Sequence, residues 1–130
     1  MYFGLKHSNV AATLAVRDIH VARRFYEDVL GLQVETSEDG HAVTYIAGDA
    51  RLLVYVSPYA GTNRATAATW PVGDLKATVF GLRAKGVRFE HYEHYEQVGV
   101  RIDGDIHAGP RIRVAWFKDP DGNLHALVQD

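Results

Sequence analysis

The chain repeats itself, and that repeat limits its architecture more than any other feature. Ala12-Thr-Leu-Ala-Val-Arg-Asp-Ile19 aligns with Ala68-Thr-Trp-Pro-Val-Gly-Asp-Leu75, matching at alanine, threonine, valine and aspartate. Gly31-Leu-Gln-Val-Glu35 likewise aligns with Gly86-Val-Arg-Phe-Glu90. At 130 residues the chain is about the size of one domain, so the two related units read as copies within it. The reading is therefore one domain, 1–130, made of module one at about 9–57 and module two at about 66–130.

Each module starts with a strand and then a helix. Asp18 and Asp74 are N-cap residues, whose carboxylates can accept the free amide protons of a first helical turn. Ala22, Phe25, Tyr26, Val29 and Leu30 mark one buried helical face, and Gly31 and Gly86 stop the two helices. The second helix is weaker, with Leu75, Val79 and Leu82 on its face and Gly81 inside it. Short strands follow at Gln33–Thr36, Ala42–Ala47 and Arg51–Ser57, then at Arg88–Tyr92, Ile112–Lys118 and Leu124–Val128. Asp119-Pro-Asp-Gly-Asn123 turns the last two strands into a hairpin. Pro58 to Arg64 joins the modules, and Glu96 to Pro110 reads as a polar loop long enough to close over something. The fold class is α+β, with two tandem βαβββ modules.

Composition narrows the chemistry. A formal charge of −2 removes the broad attraction for polyanions that nucleic-acid binders show. No apolar run approaches a membrane span, and Met1 to Lys6 is too short for a signal peptide, so a cytoplasmic protein with neither membrane nor nucleic-acid partner is expected. The absence of cysteine excludes disulfides, thiolate metal sites and a cysteine nucleophile. Metal chemistry would have to use the 7 histidines and 16 carboxylates.

Thr13-Leu-Ala-Val-Arg-Asp-Ile19, Ala22-Arg-Arg-Phe-Tyr-Glu-Asp-Val-Leu-Gly-Leu32, Leu82-Arg-Ala-Lys-Gly-Val87 and Trp116-Phe-Lys-Asp-Pro-Asp-Gly-Asn123 together resemble the vicinal oxygen chelate superfamily. That superfamily includes glyoxalase I, extradiol dioxygenases and the fosfomycin- and bleomycin-resistance proteins. Ala60-Gly-Thr-Asn63 and the alanine- and threonine-rich stretch after it resemble an actinobacterial-style subgroup. The resemblance implies an open, cup-shaped mixed sheet, a homodimer, and four inward positions for metal ligands. Those positions fall at Ala11, at Leu53 or Tyr55, at Ala67 and at Ala126, none a usual ligand, so no metal and no cofactor is expected.

Strand alternation from those positions turns Thr13 and Ala15, Thr69 and Pro71, and Leu124 and Val128 into the cup. Comparison with the resistance relatives adds Ile112, Val114 and Trp116. The same comparison puts Phe89, His91 and Glu93 on the inward face of their strand. The expected ligand-binding residues are Thr13, Leu53, Tyr55, Thr69, His91, Trp116 and Leu124, holding an aromatic or amphipathic small molecule, with a structural alternative in which they fill a collapsed core. His91 and Glu93 are the candidate acid-base pair, against a solvated strand end as the alternative. His125 should face the helices. Two functions stay open: a metal-free binding protein of the resistance, sequestration or sensing type, or an enzyme. The enzyme would be a lyase, isomerase or cyclase using His91 and Glu93, or a metal-dependent lyase or dioxygenase with displaced ligands such as His91 and His107.

Overall fold

The computed structural model describes residues 1–2 and 4–130; Phe3, within the Met1 to Lys6 stretch considered above, lies outside them. Module one runs β1 (Ala12–Val16), α1 (Ile19–Arg23), β2 (Gln33–Glu38), β3 (Ala42–Ala47) and β4 (Ala50–Val56). Its sheet has the order β1-β4-β3-β2, with β1 and β4 parallel and the other pairs antiparallel. Module two begins alike, with β5 (Thr66–Pro71), α2 (Leu75–Ala84) and the short β6 (Phe89–Glu90). A 3-10 helix, Glu93–Val98, and the hairpin β7 (Arg101–Asp103) and β8 (Ile106–Ala108) then precede β9 (Arg113–Lys118) and β10 (Leu124–Gln129).

The segment read from sequence as one loop therefore carries structure of its own. β7 and β8 pair through a two-residue Gly104-Asp105 turn, with Gly104 at φ 63°. Gly48-Asp49 makes the same kind of connection between β3 and β4, with Gly48 at φ 58°. A glycine free to take positive φ suits the right-handed twist of a tight hairpin. β8 and β6 share one edge of β9, with His107 opposite Val114 and Phe89 opposite Phe117. This shortens β6 from the expected Arg88–Tyr92 to two residues.

Both aspartate caps form. Asp18 accepts the amides of His20 and Val21, and Asp74 that of Ala77. Helix α1 passes into a π-helical turn, Arg24–Val29. Within it Phe25 and Tyr26 both turn inward, with ring centroids 5.2 Å apart and nearly perpendicular. A slightly wider turn lets adjacent aromatic residues share the buried side.

The helices cover one face of the sheets. Leu14, Val16, Val43, Tyr45, Leu52 and Val54 form the first core with Ala22 and Tyr26. Leu75, Val79, Ala115, Phe117 and Leu127 anchor the second, and Phe25, Leu30 and Trp70 pack against both. Each fully buried leucine or valine contributes about 1.5–3 kcal/mol, which fixes strand register, since a one-residue slip would expose the whole set. The residues that alternate with these point to the opposite faces of the sheets.

A buried polar chain ties the modules together. The Trp70 indole, which can only donate, gives its proton to His125 Nδ1 at 3.0 Å. The proton of the neutral imidazole is then on Nε2 and is donated to Tyr26 Oη at 2.9 Å; the Tyr26 hydroxyl donates in turn to Asp119 Oδ2 at 2.7 Å. Asp119 also accepts the amides of Asp121 and Asn123 and the Asn123 side chain, which reaches across to the Ala15 carbonyl. His125 faces the helix side, as alternation from Ala126 requires. Burial holds its pKa down at about 4, opposed by the Asp119 charge. Burial, and then the neighbouring Asp119 carboxylate, pushes the Tyr26 hydroxyl far above the usual phenol range.

Candidate functional site

The open face of module one is lined by small and hydroxyl-bearing groups. Because Leu14, Leu52 and Val54 point to the core, Thr13, Leu53 and Tyr55 stand on the other side of their strands. Thr36, Glu38, Ala42 and Thr44 join Leu53 and Tyr55 around a depression of about 250 Å³.

Module two presents an aromatic cluster. Trp116 stands on β9 opposite Ala126, on the face away from Ala115 and Phe117. Tyr95 stacks on it at 5.6 Å and 12°, while Tyr92 and His107 meet it edge-on at 5.2 and 4.8 Å. The indole nitrogen donates to the Thr66 hydroxyl at 3.2 Å. Edge-to-face and offset-stacked contacts of this kind each contribute about 0.5–1.5 kcal/mol beyond area burial. A cleft of about 370 Å³ lies against this cluster, lined by Arg64, Ala65, Thr66, Tyr92, His94, Tyr95, Trp116 and Leu124.

The sequence explains the cluster's geometry. His91-Tyr-Glu-His-Tyr-Glu96 repeats with a period of three, the period of a 3-10 helix, in which residues three apart eclipse. Tyr92, just before the helix, and Tyr95 within it therefore reach the same indole. Read as strand and loop, this run conceals both tyrosines; its three-residue period was the signal that pointed to them.

His107 lies beneath Trp116 and is only 2% exposed. Its Nε2 accepts the Tyr92 amide at 2.8 Å, so the neutral ring carries its proton on Nδ1, which has no hydrogen-bond partner among the described residues. Burial, and next the charge of His91, lowers its pKa below the usual imidazole range; an interaction with the Val114 backbone, short of hydrogen-bond geometry, opposes this.

The candidate acid-base pair takes a different form from the one expected. β6 ends at Glu90, so strand alternation does not extend to His91 and Glu93, and Glu93 opens the exposed 3-10 helix. His91 instead contacts Asp105 at 2.8 Å, in the turn of the β7–β8 hairpin, and Asp105 also meets Arg83 of α2 at 3.4 Å. Nor do the expected ligand-binding residues converge on one cavity. Trp116 and Leu124 line the aromatic cleft, and Leu53 and Tyr55 the module-one depression. Thr69 lines a third cleft of about 530 Å³, with Leu32, Arg51 and Trp70.

Of the positions that the resemblance assigns to metal ligands, Ala11, Leu53, Ala67 and Ala126 offer no donor atom and Tyr55, the alternative to Leu53, offers a single phenol oxygen, a set that does not fit a divalent ion. Among the described residues no group of three or more histidine, cysteine, aspartate or glutamate side chains stands where it could hold an ion. Ala67 departs further from expectation: the pairing of β5 with β10 shifts register there, and Ala67 packs against the first core.

The sequence model of the Glyoxalase/Bleomycin resistance protein/Dioxygenase superfamily matches residues 8–127, and the chain belongs to that superfamily. Among solved structures it is similar to TnmS3, an antibiotic-binding protein from Streptomyces sp. CB03234, at 22% identity and a TM-score of 0.71, covering 98% of each chain. It is also similar to a lactoylglutathione lyase from Agrobacterium tumefaciens, at 17% identity and a TM-score of 0.69, covering 97% of this chain and 96% of that one. At these identities the likeness is one of fold. No curated protein matches the sequence. No helix among the described residues is long and apolar enough to cross a membrane.

Proposed function

We propose that the protein binds an aromatic or amphipathic small molecule in its cup without a catalytic metal, as a cytoplasmic homodimer of the sequestering or sensing kind. The observation that carries this is the Trp116 cluster: three aromatic rings around one indole, bordering a cleft. An aromatic wall with a few hydroxyl groups suits a flat, largely apolar molecule. The fold it shares with an antibiotic-binding protein supports this reading.

A neutral probe tests it. Calorimetric titration with 2-naphthamide should show binding that is weakened about tenfold in Trp116→Ala, the effect of losing one stacking surface worth about 1–2 kcal/mol, and weakened in Tyr95→Ala as well. A chelator should leave it unchanged. Binding indifferent to both substitutions, or abolished by chelation and restored by a divalent ion, would contradict the reading.

The His91–Asp105 contact favours one competing reading, a proton-transfer enzyme in which Asp105 takes the role expected of Glu93. Turnover of any ligand that disappears in His91→Ala would decide for it.

A further inference from the structure

The two halves of the cup have diverged in charge as well as in shape. The module-one depression carries one carboxylate, Glu38, among hydroxyl and apolar groups, and no cation. The aromatic cleft of module two carries Arg64 and His94, and no carboxylate. Arg64 makes neither an ion pair nor a side-chain hydrogen bond among the described residues; Arg24, Arg88, Arg101, Arg111 and Arg113 are likewise unpaired there, but of these only Arg64 lines the aromatic cleft. A guanidinium with no internal partner, at the edge of a stacked aromatic wall, is arranged for an anion attached to a ring. It offers two parallel donors to a carboxylate while the ring gains contact with the aromatic side chains.

We infer that the module-two cleft is a site for planar aromatic acids, the ring lying against the Trp116 and Tyr95 wall and the carboxylate meeting Arg64. This rests on the small-molecule reading above and narrows it to a ligand class. The local geometry supports the ring's place: Thr66 already engages the indole nitrogen, so Trp116 is fixed in orientation before a ligand arrives. The cleft volume of about 370 Å³ admits a bicyclic acid. Arg64 stands in the segment joining the modules, two residues before β5, so it is placed by the same strand that supplies Thr66.

The test compares three naphthalene probes that share a ring and differ in charge, titrated calorimetrically at neutral pH: 2-naphthoate, 2-naphthamide and 2-naphthylmethylammonium. The expected order is naphthoate about tenfold tighter than the amide, with the ammonium weakest. Arg64→Gln should erase the advantage of the acid over the amide with the melting temperature unchanged, and Arg64→Lys should retain part of it. Equal affinity for acid and amide, or preference for the ammonium, would overturn the acid site while the aromatic reading stands, provided amide binding still depends on Trp116. Failure of all three probes to bind would overturn both. Loss of naphthoate binding in Trp116→Ala but full retention in Arg64→Gln would place the anion elsewhere and also reject this assignment.

Discussion

Asp119→Ala is expected to cost about 3–5 kcal/mol of folding stability, enough to bring a domain of this size close to its unfolding threshold. Asp119 is buried, and its carboxylate accepts from the Tyr26 hydroxyl, two backbone amides and the Asn123 side chain. Removing it leaves those donors without an acceptor in a region that excludes water. The effect reaches both modules, because Asn123 also holds the Ala15 carbonyl of β1 and Asp121 accepts the Arg17 amide at 3.2 Å. Urea unfolding followed by circular dichroism measures it. Asp119→Asn, which keeps an acceptor oxygen, should lose clearly less. A loss under about 1 kcal/mol for the alanine variant would show that the turn, and not the carboxylate, holds the modules together.

Stability should also fall as the solution is acidified through the range set by His125. Its folded-state pKa of about 4 lies below the ordinary imidazole value of 6.5. Above pH 6.5 both states carry a neutral ring and stability is constant. Between 6.5 and 4 the unfolded chain takes up a proton that the folded one refuses, so stability drops with falling pH, and below 4 this contribution is gone. The full loss is about 3 kcal/mol, from 1.36 kcal/mol per pKa unit. His107, whose pKa is also lowered by burial, adds to the same slope. Unfolding midpoints between pH 7.5 and 4.5 should therefore show a steep decline that is reduced, though not abolished, in His125→Gln. A flat profile in the wild-type protein would mean that the folded state protonates His125 as readily as the unfolded chain does, and would contradict a buried neutral ring that accepts the Trp70 proton.

The features legible in the sequence are those that depend on local chemistry. Asp18 and Asp74 cap helices because their side chains need only the next two or three amides. Asp119 to Asn123 turns because proline and glycine fix its backbone, with Gly122 at φ 88°. Alternation from Ala126 put His125 among the helices. The features that the sequence conceals depend on distant partners or on a three-residue period. His91 lies one residue beyond the end of β6, so strand parity had no meaning there, and its carboxylate comes from a hairpin turn fourteen residues on. That turn is itself signalled by Gly104-Asp105, a tight-turn pair within a segment read as a loop. Tyr92 and Tyr95 were hidden because their spacing suits a 3-10 turn and not a strand. Ala67 lost its expected direction to a register shift opposite Leu124 and His125, which alternation alone cannot foresee.

The divergence of the two modules is the main functional content of the structure. Module one keeps the plain βαβββ order, while module two inserts a 3-10 helix and a hairpin along the edge of β9. The insertion brings Tyr92, Tyr95 and His107 together around Trp116, and this is the surface to which the proposed binding is assigned.

The most direct test of a metal-free aromatic cup is to purify the untagged protein from its own host without chelators. Native mass spectrometry and elemental analysis are then run on the same sample. The account predicts an organic adduct that is lost on denaturation and depleted in Trp116→Ala, with divalent metal far below one equivalent. Near-stoichiometric metal, together with a crystal structure showing it coordinated inside the cup, would contradict it.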